Sequence, residues 1–183
     1  MKQLSLFAIP FLLLTGCFSA YRQSVEMDLL PDSPVTAEKM PSAKIGVIYN
    51  SSGAGLPVII RLEDGLVETD KYSRWLMGPA QMLERELHRT LNATGSPAVR
   101  ISGNILTCEF DQGKQQAVLE VSFEACKDVC TRRIKKQFTA PVELKKGSSH
   151  REQAASMAKA MSSCFRQAAF AAAELINEIN KQK

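Results

Sequence analysis

The clearest hydrophobic pattern in the chain is an alternation over residues 117–125, in which Val118 is the one apolar residue on the other face. Apolar side chains occupy every second position there, in the series Ala117, Leu119, Val121, Phe123 and Ala125. A period of two predicts a strand with one face on a core and the other in water. The segments 99–110 and 134–140 predict two further strands. Turns at 111–114 and 127–129 would join the three strands into a meander.

Two other segments have the spacing of amphipathic helices. Leu83, Leu87 and Leu91 recur every four residues after Pro79, a residue favoured at the first helical position, and Gly95 is placed to end this helix. A longer helix is predicted over about 153–180, and its small alanines allow close packing on a sheet. Its apolar face comprises Met157, Met161, Cys164, Ala168, Ala171, Leu175 and Ile179.

Shorter apolar runs precede the first helix. Residues 43–49 alternate, with Ala43, Ile45, Val47 and Tyr49 expected to face the core. Residues 58–61 form an apolar run that ends in arginine, and Asp64-Gly65 marks a tight turn. The order is strands, helix, meander, helix. It predicts an α+β fold with two layers, in which two helices pack on one face of a mixed or antiparallel sheet of about five to six strands.

The N-terminus has the pattern of an export signal. Residues 4–14 are apolar except for Ser5 and follow Lys2. This run is too short to cross a bilayer, which needs about 20 apolar residues. Leu14-Thr15-Gly16-Cys17 resembles the lipobox of bacterial lipoproteins. The resemblance implies cleavage before Cys17 and a covalent lipid, of the diacylglyceryl and palmitate kind, on its thiol. A plain secretory signal with a coincidental cysteine is the alternative.

These features divide the chain into three parts. Residues 1–16 are the predicted signal peptide, and residues 17–42 are a lipidated N-terminus and flexible tether that contains three prolines. Residues 43–183 are a single predicted periplasmic α/β domain. Residue 18 is phenylalanine and not aspartate, which by the sorting rule of enteric lipoproteins predicts the outer membrane, with the domain facing the periplasm.

Charge is unevenly distributed although the formal net charge is only +4. Residues 127–151 contain eight lysines and arginines but only two acidic residues, Asp128 and Glu143. This block could face anionic lipid headgroups or an acidic partner, but the solvated face of a strand and its loop is the preferred interpretation. Phe138 is the only phenylalanine, tyrosine or tryptophan in the block, and the protein is predicted to be exported, so nucleic acid is not an expected partner.

Four cysteines remain after the lipidated one. Outside the cytosol thiols can oxidise, so two disulfides are candidates. Cys126 and Cys130 flank the 127–129 turn and form the first candidate pair, which leaves Cys108 and Cys164 as the second. Free buried thiols are the alternative, because unoxidised cysteine is among the most buried residue types.

The sequence offers little to an enzyme. Neither His88 nor His150 stands at a recognised spacing from a nucleophile or an acid, and the familiar serine-hydrolase and zinc-protease motifs are absent. Neither histidine is near the Cys126-x3-Cys130 pair, so a zinc site is not expected either. We therefore expect no catalysis, no metal and no cofactor other than the covalent lipid.

The segment before the first helix combines residue types that are common in interfaces. Tyr72, Arg74 and Trp75, which is the sole tryptophan, stand together just ahead of Pro79. Aromatic residues and arginine are enriched at binding hot spots, so these three are candidates for a partner interface. Trp75 could equally cap the core where the helix begins.

The Tyr-x-Arg-Trp segment and the leucines that follow it resemble the ABC-type transport auxiliary lipoproteins. That family has a similar lipobox, an apolar strand ending in arginine like residues 58–61, and an alanine-rich final helix like residues 153–180. The resemblance implies a docking component at the outer membrane for an ABC transporter and an MCE-domain protein that carries lipid across the envelope. It also allows a homo-oligomer. An envelope-assembly lipoprotein that activates a cell-wall or outer-membrane biogenesis machine is the alternative.

Overall fold

The computed structural model describes residues 24–30, 41–92 and 99–181. These residues form seven strands and two helices: β1 (Val25–Met27), β2 (Lys44–Asn50), β3 (Pro57–Arg61), β4 (Val67–Trp75), α1 (Pro79–Thr90), β5 (Val99–Asp111), β6 (Gln116–Lys127), β7 (Cys130–Pro141) and α2 (His150–Lys181). The strands share one mixed sheet in the order β1-β4-β3-β5-β6-β7, with β2 beside β5. The helices contact each other, α2 also crosses β5, β6 and β7, and α1 contacts β2 and β5. The predicted two-layer α+β fold is confirmed.

The meander β5–β6–β7 is the regular centre of the sheet. Its strands are antiparallel, and residues Gln116–Lys127 pair one to one with the whole of β7. The two hairpin turns use left-handed backbone at Gln115 (φ 49°) and Asp128 (φ 51°), as tight turns require. The inward residues Leu119, Val121 and Phe123 are fully buried, as the alternation predicts.

Strands β2 and β3 lie one after the other along the same side of β5, and both are parallel to it. The pairing of β2 shifts register between Ile45 and Ile48. Because one residue slips there, Ile45 and Ile48 pack against the core, while Val47 and Tyr49 are 48% and 61% exposed. The expected inward placement of Val47 and Tyr49 is therefore wrong, and the bulge is the reason.

The predicted tether also needs correction. Val25–Met27 form a strand parallel to residues 73–75 of β4, and Met27 and Leu29 are buried in the core. The backbone N–H of Leu30 donates to Ser162 Oγ on α2 at 2.9 Å. The ordered domain thus includes residues N-terminal to 43. A strand of three residues leaves almost no periodicity to detect, and its partner is far away in sequence.

Both helices begin with residue types that favour a helix N-terminus. Helix α1 starts at Pro79, as predicted, and ends at Thr90; Gly95 lies outside the described residues. Helix α2 starts three residues before the predicted position. Ser149 and Glu152 form reciprocal hydrogen bonds there, with the Ser149 N–H donating to Glu152 Oε2 at 2.7 Å and the Glu152 N–H donating to Ser149 Oγ at 3.3 Å.

Candidate functional site

Trp75 is part of the core. It is the last residue of β4, only 2% of it is exposed, and its ring stacks on Phe110 with a centroid distance of 6.3 Å. A partner protein cannot reach a side chain so deeply buried. Of the two interpretations of Trp75, capping the core is the one that the structure supports, and Trp75 is removed from the candidate interface.

Tyr72 and Arg74 are exposed but already have neighbours within the domain. Arg74 Nη2 lies 2.6 Å from Glu26 Oε1, an ion pair that joins β4 to β1. The Tyr72 ring meets the His150 ring edge-to-face at 6.0 Å. Since each side chain contacts a different element, the structure does not combine Tyr72, Arg74 and Trp75 into one binding surface.

The structure places a serine beside a histidine that sequence reasoning did not connect. Ser73 Oγ lies 3.3 Å from His150 Nε2, across 77 residues of sequence. Ser73 is 2% exposed, so its hydroxyl is not accessible to a substrate. The contact therefore links β4 to the first residue of α2. No motif indicates this pair, because only the packing of α2 on the sheet brings the residues together.

The outer strand β7 carries four of the eight cations of the basic block, and each of these four is paired with an acid. Two reach glutamates of α2 and two reach glutamates of β6. The pairs are Arg132–Glu178 at 3.2 Å, Lys136–Glu174 at 3.9 Å, Lys135–Glu120 at 3.0 Å, and Arg133–Glu124. Exposed pairs of this kind add little stability, but they neutralise the strand locally. For strand β7, the structure thus favours the solvated-strand interpretation over a patch for anionic lipid.

The cysteines with described side chains, Cys108, Cys126 and Cys164, are free thiols. Cys126 lies opposite Thr131, and Cys130 lies opposite Lys127, so the first candidate pair is offset by one residue across the hairpin. The Cys108–Cys164 disulfide is not formed either. Both thiols are buried, and burial is the main reason that the pKa of each rises to about 12. Buried free thiols, the alternative, describe this pair.

A groove of about 390 Å³ lies between the β3–β5 end of the sheet and the start of α2. Its apolar lining includes Ile60, Phe110, Val142, Leu144 and Met157. The ionisable groups that line it are Glu63, Glu68 and Asp111, and all three are acidic. A phosphate group would meet like charge at this rim, so the groove does not suit the headgroup of an anionic phospholipid.

The described residues lack a metal-binding cluster and a membrane-spanning helix. They contain no group of three or more histidine, cysteine, aspartate or glutamate side chains arranged to hold a metal ion. None of their helices combines the length and the apolar character that a membrane crossing requires.

Comparison with known proteins shows the fold. No family model and no curated protein matches the sequence. The crystal structure of an uncharacterized protein has a TM-score of 0.60 at 10% identity, over 86% of this chain and 99% of the other. A crystal structure from Xanthomonas campestris, assigned to the family DUF330, has a TM-score of 0.59 at 13% identity, over 88% of this chain and 100% of the other. The domain of this chain thus has the fold of a DUF330 protein.

Proposed function

We propose that this protein is an envelope lipoprotein, acylated at Cys17, that docks the components of an ABC/MCE-type lipid transport system at the outer membrane without catalysing a reaction. The lipobox-like Leu14–Cys17 segment supports the anchor. The Tyr-x-Arg-Trp segment and the order of elements support the transport role, through the resemblance to auxiliary lipoproteins.

The observation that carries the proposal is the short separation between the lipid and the sheet. Val25, the first residue of β1, follows Cys17 by only eight residues. A fully extended chain covers at most about 3.6 Å per residue, which limits this separation to about 30 Å. The domain is therefore held at the membrane surface, where tethering raises its effective concentration near any partner that reaches that membrane.

The character of the groove also favours docking over lipid carriage. Its acidic rim disfavours an anionic lipid, and the only described serine–histidine contact is closed to substrate by the burial of Ser73. We infer that the lipid passes through other components of the transport system. This chain binds those components and holds them at the membrane.

The anchor is tested with Cys17→Ala. Loss of the thiol removes the attachment point of the diacylglyceryl group, so we expect the protein to leave the membrane fraction and to lose incorporation of labelled palmitate. Cys126→Ala is the matched control, because it removes a partly exposed thiol from the folded domain. Palmitate labelling that persists in Cys17→Ala would contradict the proposal.

The transport role is tested by cross-linking the acylated protein in cells and identifying its partners by mass spectrometry. Recovery of an MCE-domain protein together with ABC subunits supports the proposal. Recovery of a cell-wall synthase or an outer-membrane assembly machine in their place would overturn the transport role and leave the lipoprotein anchor unaffected.

A further inference from the structure

The outer edge of β2 is open in the part of the chain that the structure describes. There β2 pairs only with β5, so the backbone groups on its other side have no strand partner. Residues 45–50 carry no charge, and Val47 and Tyr49 are exposed. An uncharged strand edge with exposed apolar side chains is a template for the addition of another strand.

The opposite edge of the sheet is built differently. Strand β7 carries Arg132, Arg133, Lys135 and Lys136, and charged side chains on an edge resist strand addition. Each of these four cations has an acid within the domain. The third edge, formed by β1 and the part of β4 that β1 does not cover, carries the charged residues Glu26, Glu68, Asp70 and Lys71. The edge of β2 is therefore the one suited to a partner.

The charges at the start of β2 indicate what kind of partner fits. Lys44 lies directly opposite Arg100 on β5, and both side chains are exposed. Like charges at opposed positions of a sheet destabilise it. Among the described residues neither cation has an acid within ion-pair distance. A carboxylate from outside the domain would relieve this repulsion.

Gly46 brings one of these cations close to the strand. A side chain at this position would place its Cβ 2.8 Å from Arg100 Nε and 2.4 Å from Ser102 Oγ. The absence of a side chain lets the Arg100 guanidinium lie over the β2 backbone, next to the open edge. An incoming strand would meet backbone donors and acceptors, two apolar side chains and a positive charge within one segment of seven residues.

We propose that the outer edge of β2 is the docking surface for an extended segment of a partner protein. The segment adds to the sheet as a strand, packs apolar side chains on Val47 and Tyr49, and places a carboxylate near Lys44 and Arg100. In this mode of recognition the backbone hydrogen bonds supply affinity, and alternate side chains supply specificity. The inference rests on the proposed function, because it names the surface through which the transport partner docks.

The test uses the full acylated chain in cells, with a photo-crosslinking amino acid at position 47 and, as a control, at position 129. Val129 is a fully exposed valine in the β6–β7 turn, away from the β2 edge. We expect position 47, and not position 129, to cross-link to the MCE-domain protein. Val47→Lys should lower the recovery of that partner about tenfold, because it places a charge on the edge. Val129→Lys should have no effect.

Two further variants separate docking from folding. Val47→Thr keeps a β-branched, uncharged edge and should bind as the natural protein does. Lys44→Glu should weaken binding because it repels the carboxylate, and the loss should be smaller at high salt. Thermal unfolding temperatures that are not lowered in any of the four variants show that the fold is intact. The temperature of Lys44→Glu should rise slightly, because the new carboxylate lies opposite Arg100.

The outcomes distinguish the inference from the proposed function. If the MCE-domain protein is recovered equally with Val47→Lys and Val129→Lys, the docking surface is wrong and the transport role stands. If position 47 cross-links to a cell-wall synthase and Val47→Lys abolishes this, the surface stands and the transport role is wrong. Cross-links from position 47 to a second copy of this chain alone, or to no protein, would overturn the docking surface.

Discussion

The two halves of the sheet are built in contrasting ways. Strands β5, β6 and β7 are long, antiparallel and joined by short turns, and their inward residues alternate with few interruptions. Strands β1 to β4 are mostly shorter, three of their pairings are parallel, and register shifts interrupt two of the pairings. Local pairing stabilises the first half, whereas the second half depends on contacts between distant parts of the chain.

This difference has a functional consequence. The regular half, strands β5 to β7, ends in the charged edge of β7, whose cations are paired within the domain. The irregular half, strands β1 to β4, carries the open edge of β2 and also β1, which lies close in sequence to Cys17, the predicted site of acylation. Under the proposed function, the features that connect this protein to a membrane and to a partner belong to the half with the less regular pairing.

The largest effect is expected in the regular half. Phe123 is fully buried on β6, and its ring is so close to Gly103 that a Cβ there would lie 3.2 Å from Cε1. Phe123→Ala removes this packing and should lower the free energy of unfolding by about 3–5 kcal/mol. Phe170→Ala, at a phenylalanine 42% exposed on α2, should cost less than about 1 kcal/mol in the same urea titration. Equal losses would show that the meander is not the main source of stability.

A smaller effect is expected where β1 joins the helices. Asp28 accepts hydrogen bonds from Arg85 Nη1 at 3.1 Å and from Nη2 at 2.8 Å. Asp28→Asn should lower the free energy of unfolding by about 1 kcal/mol at neutral pH and speed amide exchange at Met27 and Leu29. Glu84→Gln, on the exposed face of α1, is the matched control and should leave this exchange unchanged.

The same pair predicts the pH dependence. The hydrogen bonds from Arg85 lower the pKa of Asp28 below its ordinary value. The stabilisation is therefore fully present above the unfolded-state value of about 3.9, and it is lost as the pH falls through the lower folded-state pKa. The difference between the natural protein and Asp28→Asn should disappear in acid. A difference that persists well below that pH would mean that the charge of Asp28 is not its cause.

The smallest effect on stability is expected at the charged edge. Arg133→Thr with Lys135→Thr breaks two exposed ion pairs and should change the free energy of unfolding by less than about 1 kcal/mol. Removal of these charges should nevertheless increase aggregation, because it exposes an uncharged strand edge. Lys145→Thr with Lys146→Thr removes the same charge from a loop and is the control in light-scattering measurements. Equal aggregation of both double variants would show that net charge, and not the edge, protects the protein.

The sequence by itself determined the elements whose pattern repeats over many residues. The alternation over residues 117–125, the leucines after Pro79 and the alanine-rich face of α2 predicted the meander, both helices and the two-layer α+β fold. Such patterns suffice because a strand pair joined by a turn, or a helix, is specified by neighbours in sequence. The lipobox-like segment and the predicted acylation of Cys17 likewise depend on adjacent residues alone.

Only the tertiary structure decided what depends on distant partners. The burial of Trp75, the addition of β1 to β4, the contact of Ser73 with His150 and the opposition of Lys44 to Arg100 all join segments far apart in sequence. The bulge in β2 reversed the expected directions of Val47 and Tyr49, because a slip of one residue exchanges the two faces of a strand. A period of two read from the sequence cannot reveal such a slip, since the slip arises from pairing with β5.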